Sequence, residues 1–398
     1  MNIAIYNGNL KPTTFVLRLA QVVNKNHNLC VVGASTKLFK YKHADISFLP
    51  TNHNNKLILL FQLLFQLITF LVLYPKIWLH FVAILRKSDK PILTRIKQFL
   101  IWSKLIRNKA DIVHIQWVSH LILFEELLDL SYFKIAVSLR GRLINSAPLS
   151  DLNLTALYRK TFPKIDKFHA VSNDIKMKAM HYGADENKIK VIYSGINVSS
   201  FKFNKSIKDS QPDTLNVLSI GREHWIKGYN YALEAIKGLK DKGVKINYTI
   251  IGASDSEELV VLRQSLNIEK EVQLLSRVSF EDVLNAMKQA DVFLLPSVSE
   301  GLANVVIEAM LTGLPVISSD TGGMPELVLH NETGLLFKNR DVTSLIDTVL
   351  KFKKLSIKEK ETMIIKAYEK VNEQHNLKQF ELCFNDFYAS DEHNTKMN

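Results

Sequence analysis

Two glutamates and two cations are the residues in this 398-residue chain whose types and spacing could do chemistry. Glu300 and Glu308 have seven residues between them, in the stretch LLPSVSEGLANVVIEAMLTGLPVISSDTGGMP from Leu294 to Pro325. A carboxylate accepts two or more hydrogen bonds, which suits the vicinal hydroxyls of a sugar or ribose. Arg222 and Lys227 lie earlier in the same half of the chain. Two such cations can hold a diphosphate, Arg by its planar fork and Lys as a point charge. Taken singly, each of the four could be a solvated surface residue. The punctuation by Gly301, Gly313 and Pro315 around the glutamate pair weighs against that reading.

The elements that must position them follow from the apolar pattern. Asp291–Leu295 reads as a buried parallel strand, Pro296, Ser297 and Ser299 break it, and Asn304–Met310 reads as a helix stopped by Gly313. Pro315–Ser318 is the next strand, completing a βαβ unit. Ligands of such units sit at the carboxyl ends of the strands, facing helix N-termini. The same half opens with a strand, Leu215–Ile220, that ends in Gly221-Arg222, followed by Lys227-Gly228 and a helix over Tyr231–Lys240. Ile246–Ile251 and Glu271–Leu275 are further strands, Phe280–Gln289 a helix, and Gly334–Phe337 a last short strand.

The first half alternates in the same way. Asn2–Tyr6, Asn28–Gly33, Ile112–Gln116, Ile135–Leu139, Phe168–Val171 and Lys190–Tyr193 read as strands, with a helix over Phe15–Val23. Asn7-Gly8-Asn9 reads as the first turn; with one glycine and no G-x-G-x-x-G it does not support a dinucleotide site. Alternation of this kind predicts an α/β fold of two Rossmann-like, doubly wound domains. The expected division is 1–200, a hinge linker over 201–214 inside the polar run Ser199–Thr214, a domain over 215–378, and a C-terminal helix and tail over 379–398 that reaches back toward the first domain.

Composition bounds the rest. With 47% apolar and 23% charged residues the chain has ample core material, and its two cysteines, Cys30 and Cys383, form no disulfide framework or zinc spacing. The opening residues run straight into a strand rather than a signal peptide, so the expectation is a cytoplasmic protein. The net charge of +12 is uneven: residues 1–200 carry 27 Lys and Arg against 11 Asp and Glu. The first half therefore meets something anionic, and no nucleic-acid module is visible.

Leu57–Tyr74 (LILLFQLLFQLITFLVLY) is 18 residues without a charge, flanked by Lys56, Lys76, Arg86, Lys87, Lys90, Arg95 and Lys97. Gln62, Gln66 and Thr69 form a narrow polar stripe on one helical face. Three readings stand open: docking in a membrane interface, ordinary buried helix, or a membrane span at the lower limit of length.

These residues also carry a family likeness. Gly221-Arg222 with Lys227-Gly228, then Glu300-Gly301 and Glu308-Ala-Met, Gly313-x-Pro315, and Gly322-Gly323-x-Pro325-Glu326 resemble the family-4 retaining glycosyltransferases of the GT-B fold. Phe168–Phe201 resembles that family's segment ending the first domain, and the likeness runs from about Ile165 to Phe337. It implies two domains facing across a cleft, with no cofactor and no metal. It also implies that Arg222 and Lys227 bind the nucleotide diphosphate and stabilise its departure. Glu308 would hold the ribose hydroxyls, Glu300 the donor sugar, and the Gly301, Leu302, Ala303 and Asn304 backbone would lie near sugar and phosphates. The family commonly has a His-Gly pair after the strand occupied here by Ile135–Leu139; this chain has Arg140-Gly141, so Arg140 would serve either the diphosphate or an anionic acceptor, and Gly8, Arg140 and Gly141 are expected to bind substrate. His114 and His120 read as structural polar groups.

The expected function is a retaining hexosyl transfer from a nucleotide-diphosphate sugar to a lipid-linked or surface-polysaccharide precursor, at the inner face of the plasma membrane through peripheral contact of the basic first domain. A GT-B sugar-nucleotide epimerase and a non-catalytic nucleotide-sugar-binding module are the alternatives.

Overall fold

The computed structural model describes residues 1–9, 13–34, 46–51, 56–204 and 213–389, and of 56–59 the backbone alone. The chain forms two compact units. The first comprises Met1–Val171, Lys176–Ile192 and the part of the C-terminal helix from Glu381 on; the second comprises Ser172–Ile175 and Tyr193–Phe380. Most of the expected linker, residues 205–212, lies outside the described residues.

The first unit is built on seven parallel strands: β1 (Asn2–Asn9), β2 (Asn28–Ala34), β3 (Ser47–Pro50), β4 (Ile112–Ile115), β5 (Lys134–Leu139), β6 (Lys167–Ala170) and β7 (Ile189–Val191), in the order β3-β2-β1-β4-β5-β6-β7. The middles of β1, β2, β4 and β5 are buried and mostly apolar, as a sheet covered by helices on both sides requires. Two details depart from the sequence reading. β3 was not expected; it has four residues, pairs only with β2 and ends at Pro50, too little for a pattern to show. β1 does not turn at Asn7 but continues to Asn9 through a register shift between Tyr6 and Gly8, where Gly8 takes φ +79°.

Helix α1 (Thr14–Val23) follows β1. The long apolar run is α2 (Lys56–Leu73), succeeded by α3 (Pro75–Lys87) and α4 (Ile92–Arg107). These three helices lock together through buried Phe70, Phe81, Phe99 and Trp102, whose rings meet at 5.2–6.1 Å. Yet α2 is not an ordinary buried helix, since most of its large apolar side chains are exposed. Among the described residues no helix is long and apolar enough to cross a membrane.

The second unit carries β8 (Leu215–Ile220), β9 (Ile246–Ile251), β10 (Val272–Leu275), β11 (Val292–Leu295), β12 (Val316–Ser319) and β13 (Leu335–Phe337), all parallel, in the order β10-β9-β8-β11-β12-β13. The chain crosses from one side of the sheet to the other between β8 and β11, the switch point at which such folds hold ligands. Two apolar clusters fill the two faces, one under the Tyr229–Asp241 helix and the other under the Asn304–Thr312 helix. Tyr193–Ser200 belongs to this unit, ahead of the expected boundary, because Ile196 is buried in its core and its N–H donates to the His375 carbonyl at 2.7 Å.

Candidate active site

The carboxyl end of β8 sets the site. The chain leaves the strand at Gly221-Arg222 and makes a single 3-10 turn, Trp225–Lys227, whose Ile226 N–H donates to His224 Nδ1 at 3.3 Å. Gly228 then takes φ +63°, and a Cβ there would overlap the Pro296 carbonyl oxygen. Only glycine allows that approach. It seats the turn on the segment after β11, where Val298 N–H donates to the Ile226 carbonyl at 2.7 Å.

This packing brings Lys227 to Glu300. Lys227 Nζ donates to Glu300 Oε1 at 2.6 Å, and Ser297 Oγ donates to the same oxygen at 2.8 Å. The side chains are 18% and 13% exposed, so their attraction is only partly screened by water. Tyr229 closes the floor: its hydroxyl donates to the Gly221 carbonyl at 3.2 Å, and burial, then the Glu300 charge, pushes its pKa above the usual phenol range.

The loop bearing Glu300 is held from beneath. Ser319 Oγ donates to Ser297 O at 2.5 Å, while Thr321 Oγ1 and Asn339 Nδ2 donate to Val298 O at 2.8 and 2.9 Å. Gly322 and Gly323 lie against the next two residues: a Cβ on Gly322 would overlap the Glu300 carbonyl oxygen, and one on Gly323 would overlap that of Gly301. Gly323 N–H donates to Gly301 O at 3.1 Å. The double glycine is thus a steric requirement of the Glu300-Gly301 backbone. Gly301, Leu302 and Ala303 lead into the Asn304–Thr312 helix, whose N-cap Ala303 offers no side-chain acceptor to the first amides. Asn304 Oδ1 is buried without a hydrogen-bond partner. Glu308, half-buried, stands one turn into this helix, which ends at Gly313 with φ +80°.

Arg222 is exposed just beyond β8. A depression of about 550 Å³ lies beside it, lined by Glu223, His224, Trp225, Asp255, Glu257 and Glu258 among others. Four carboxylates and no Lys or Arg line it, so it would repel a diphosphate. Among the described residues no group of three or more His, Cys, Asp or Glu is placed to hold a metal ion.

The first-unit candidates sit at the ends of β1 and β5. Arg140 Nη2 donates to Gln116 Oε1 at 2.6 Å and Ser138 Oγ at 3.0 Å, and the guanidinium stacks on Phe15 with 3.6 Å to the ring centroid. Its Nε and Nη1 are buried without a partner, and burial pulls its pKa down to about 9. Gly141, at φ +45°, faces open space, whereas a Cβ on Gly8 would strike the His120 ring. His114 is fully buried, with Nδ1 2.6 Å from Tyr388 Oη and Nε2 2.9 Å from Ser138 Oγ, which in turn lies 2.9 Å from His169 Nδ1. His114 is therefore a structural group.

Sequence reasoning brought Arg222, Lys227, Glu300 and Glu308 to one unit but missed the groups that position them: Ser297, Tyr229, Ser319, Thr321 and Asn339. Glu326 was visible only as part of a motif. It accepts from the Asn173 and Asp174 amides at 3.0 and 3.1 Å and from Tyr193 Oη at 3.0 Å, holding Ser172–Ile175 and Tyr193 in the second unit. The short Asp320-Thr321-Gly322-Gly323 run after β12 was the available signal.

Known proteins resemble this chain in sequence and fold. Residues 200–371 match the model of glycosyl transferases group 1, and residues 71–200 match glycosyltransferase family 4. The amylovoran biosynthesis glycosyltransferase AmsK of Erwinia amylovora is 32% identical over 218 residues, which is 52% of this chain and 53% of that one. The uncharacterized glycosyltransferase MJ1607 of Methanocaldococcus jannaschii is 32% identical over 183 residues, 42% of this chain and 46% of its own length. The chain thus spans about half the length of these curated relatives. Sucrose-phosphate synthase from Thermosynechococcus elongatus superposes with a TM-score of 0.73 at 16% identity, covering 98% of each chain. The Anabaena protein Alr3699/HepE, solved in complex with UDP-glucose, superposes at 0.69 and 16% identity, covering 98% of this chain and 100% of that one. Identity that low shows the fold, which is GT-B. Two consecutive family models and two parallel Rossmann-like sheets lead to one conclusion: the chain belongs to the glycosyltransferases, with a group 1 module following a family 4 module.

Proposed function

We propose that this chain is a retaining glycosyltransferase that moves a hexose from a nucleotide-diphosphate sugar to a lipid-linked or surface-polysaccharide precursor. The observation that carries the reading is the 2.6 Å contact between Lys227 and Glu300 at the switch point of the second sheet. It sets a cation and a carboxylate side by side, a pairing that supports a donor whose diphosphate–sugar junction needs charge for the phosphates and acceptors for the sugar hydroxyls. Alr3699/HepE, of the same fold, was solved with UDP-glucose, which supports a donor of this class.

Arg222 and Lys227 bind the diphosphate. Glu300 accepts from the sugar hydroxyls, Glu308 from the ribose, and the Gly301–Asn304 amides face sugar and phosphate. In transfer, the bond from the anomeric carbon to the phosphate oxygen breaks and negative charge builds on the leaving diphosphate, where Lys227 and Arg222 stabilise it. The acceptor hydroxyl attacks from the same face, and its proton passes to the departing phosphate oxygen. Gly8, Arg140 and Gly141 serve the acceptor; the buried Arg140 N–H groups without partners support an acceptor carrying an anionic group. AmsK, named for amylovoran biosynthesis, and the excess of basic residues in the first half support a polysaccharide precursor met at the inner face of the plasma membrane.

The test incubates the protein with radiolabelled nucleotide sugars and a membrane lipid extract, beside Glu308→Ala. Label entering lipid with the wild type alone supports transfer. Conversion of the nucleotide sugar without acceptor would establish an epimerase instead, and binding without turnover across a broad panel would establish a non-catalytic module.

A further inference from the structure

Helix α2 is inside out. Its glutamines face the protein: Gln66 is buried and accepts from Ser103 Oγ on α4, and the Gln62 Oε1 atom is buried, while Thr69 Oγ1 donates to the Phe65 carbonyl of its own helix. Its outward face is made of Leu60, Phe61, Leu64, Phe65, Ile68 and Val72, spaced three and four apart along the helix, with Phe61 72%, Phe65 63% and Ile68 64% exposed. A helix facing water has the opposite arrangement, polar outward and apolar inward. The inversion is not loose packing, because the inner side of α2 is fixed through Phe70, which is fully buried against Phe81 and Phe99.

Charge selects the medium that this face meets. Residues 46–110 contain ten Lys and Arg and a single acid, Asp89. Of these cations Lys76, Arg86, Lys87 and Lys97 are exposed on α3 and α4. A protein partner with an apolar groove would not need that excess, whereas an anionic bilayer attracts it and buries the apolar side chains at once. Leu79, Ile92 and Leu93, also exposed, extend the apolar surface onto α3 and α4. Because one face of α2 packs against α3 and α4, the helix lies along a surface and does not cross it.

We infer that α2 is an interfacial insertion helix: its Phe61–Val72 face enters the outer part of an anionic bilayer while the cations of α3 and α4 meet the lipid phosphates. This deepens the membrane contact proposed above and rests on no step of the transfer chemistry.

Flotation of the full-length protein with vesicles of phosphatidylglycerol and phosphatidylcholine, against phosphatidylcholine alone, tests it. The wild type is expected to float with the anionic vesicles, and the Phe61→Ser/Phe65→Ser/Ile68→Ser variant to partition about a hundredfold less, the factor for losing roughly half the exposed apolar burial of three side chains. The variant's thermal unfolding midpoint, unchanged or raised, verifies its fold. In a second measurement, Phe65→Trp is expected to gain fluorescence quenching by brominated lipid. No flotation of the wild type overturns the inference. So does binding that the triple substitution leaves intact and high salt removes, since that is electrostatic adsorption alone. A dimer in solution that the triple substitution dissolves, without vesicle binding, assigns the face to a second copy and overturns it equally.

Discussion

Replacing Lys227 by Ala separates catalysis from architecture. In the folded chain the ammonium sits 2.6 Å from Glu300 Oε1, with both side chains less than a fifth exposed. Exposed pairs are worth about 0–1 kcal/mol and removing one partner of a buried pair costs about 3–5 kcal/mol. The pair lies between these cases and Ser297 still donates to Glu300, so about 1–2 kcal/mol of stability is at stake. For a unit of this size that lowers the melting temperature by roughly 2–8 °C. If Lys227 neutralises the leaving diphosphate, the same change removes about 2–4 kcal/mol of transition-state stabilisation, or roughly 30- to 1,000-fold in rate. Initial rates with nucleotide sugar and lipid extract, normalised to folded protein, are compared with thermal unfolding. Lys227→Arg keeps the charge and should recover part of the rate, whereas Lys227→Gln should not. Normal turnover per folded molecule beside a collapsed melting temperature would refute the phosphate role and leave Lys227 as a structural tether for Glu300.

Three further outcomes are expected. Gly322→Ala places a Cβ against the Glu300 carbonyl at φ +57°, so it should cost about 1–3 kcal/mol in strain and weaken donor binding as well; unchanged calorimetric donor affinity would separate the double glycine from the site. Glu326→Ala removes the charged acceptor of the Asn173 and Asp174 amides and of Tyr193, and should cost about 1.5–3 kcal/mol, visible in denaturant titration as a lower midpoint. Acid should unfold the chain early through buried histidines. Burial, then Arg140, pulls His169 to about 3, and burial pulls His375 to about 4. Each is neutral when folded but takes up a proton when unfolded, so stability is full above about pH 6.5 and falls as pH drops toward the folded values. The expected slope is about 1.4 kcal/mol per pH unit for each histidine between about pH 6 and 4; a flat unfolding free energy across that range would contradict their burial as neutral rings.

Much of the second unit was legible because its cues are local. Apolar runs of four to six residues bounded by glycine and proline give the strands, and Gly313 marks a helix end by the left-handed conformation only glycine adopts freely. The Glu300–Glu308 spacing and the Gly322-Gly323 pair are local for the same reason: the chain must turn there within a few residues. Edge strand β3 was not legible, since four residues paired on one side carry no alternation or length from which to read it.

What the sequence by itself determined is therefore the order of the strands other than β3, the residue types gathered at the end of β8 and beyond β11, and the uneven charge. Tertiary structure alone decided which of these residues touch. That Lys227 meets Glu300 depends on Gly228 packing against Pro296, a contact across 68 positions of sequence that no periodicity encodes. The same holds for α2. Its sequence shows a polar stripe and an apolar remainder, but a helical pattern has no inside or outside until something packs on it. Phe70, Phe81 and Ser103 chose the stripe side, and by that choice left the apolar side facing outward.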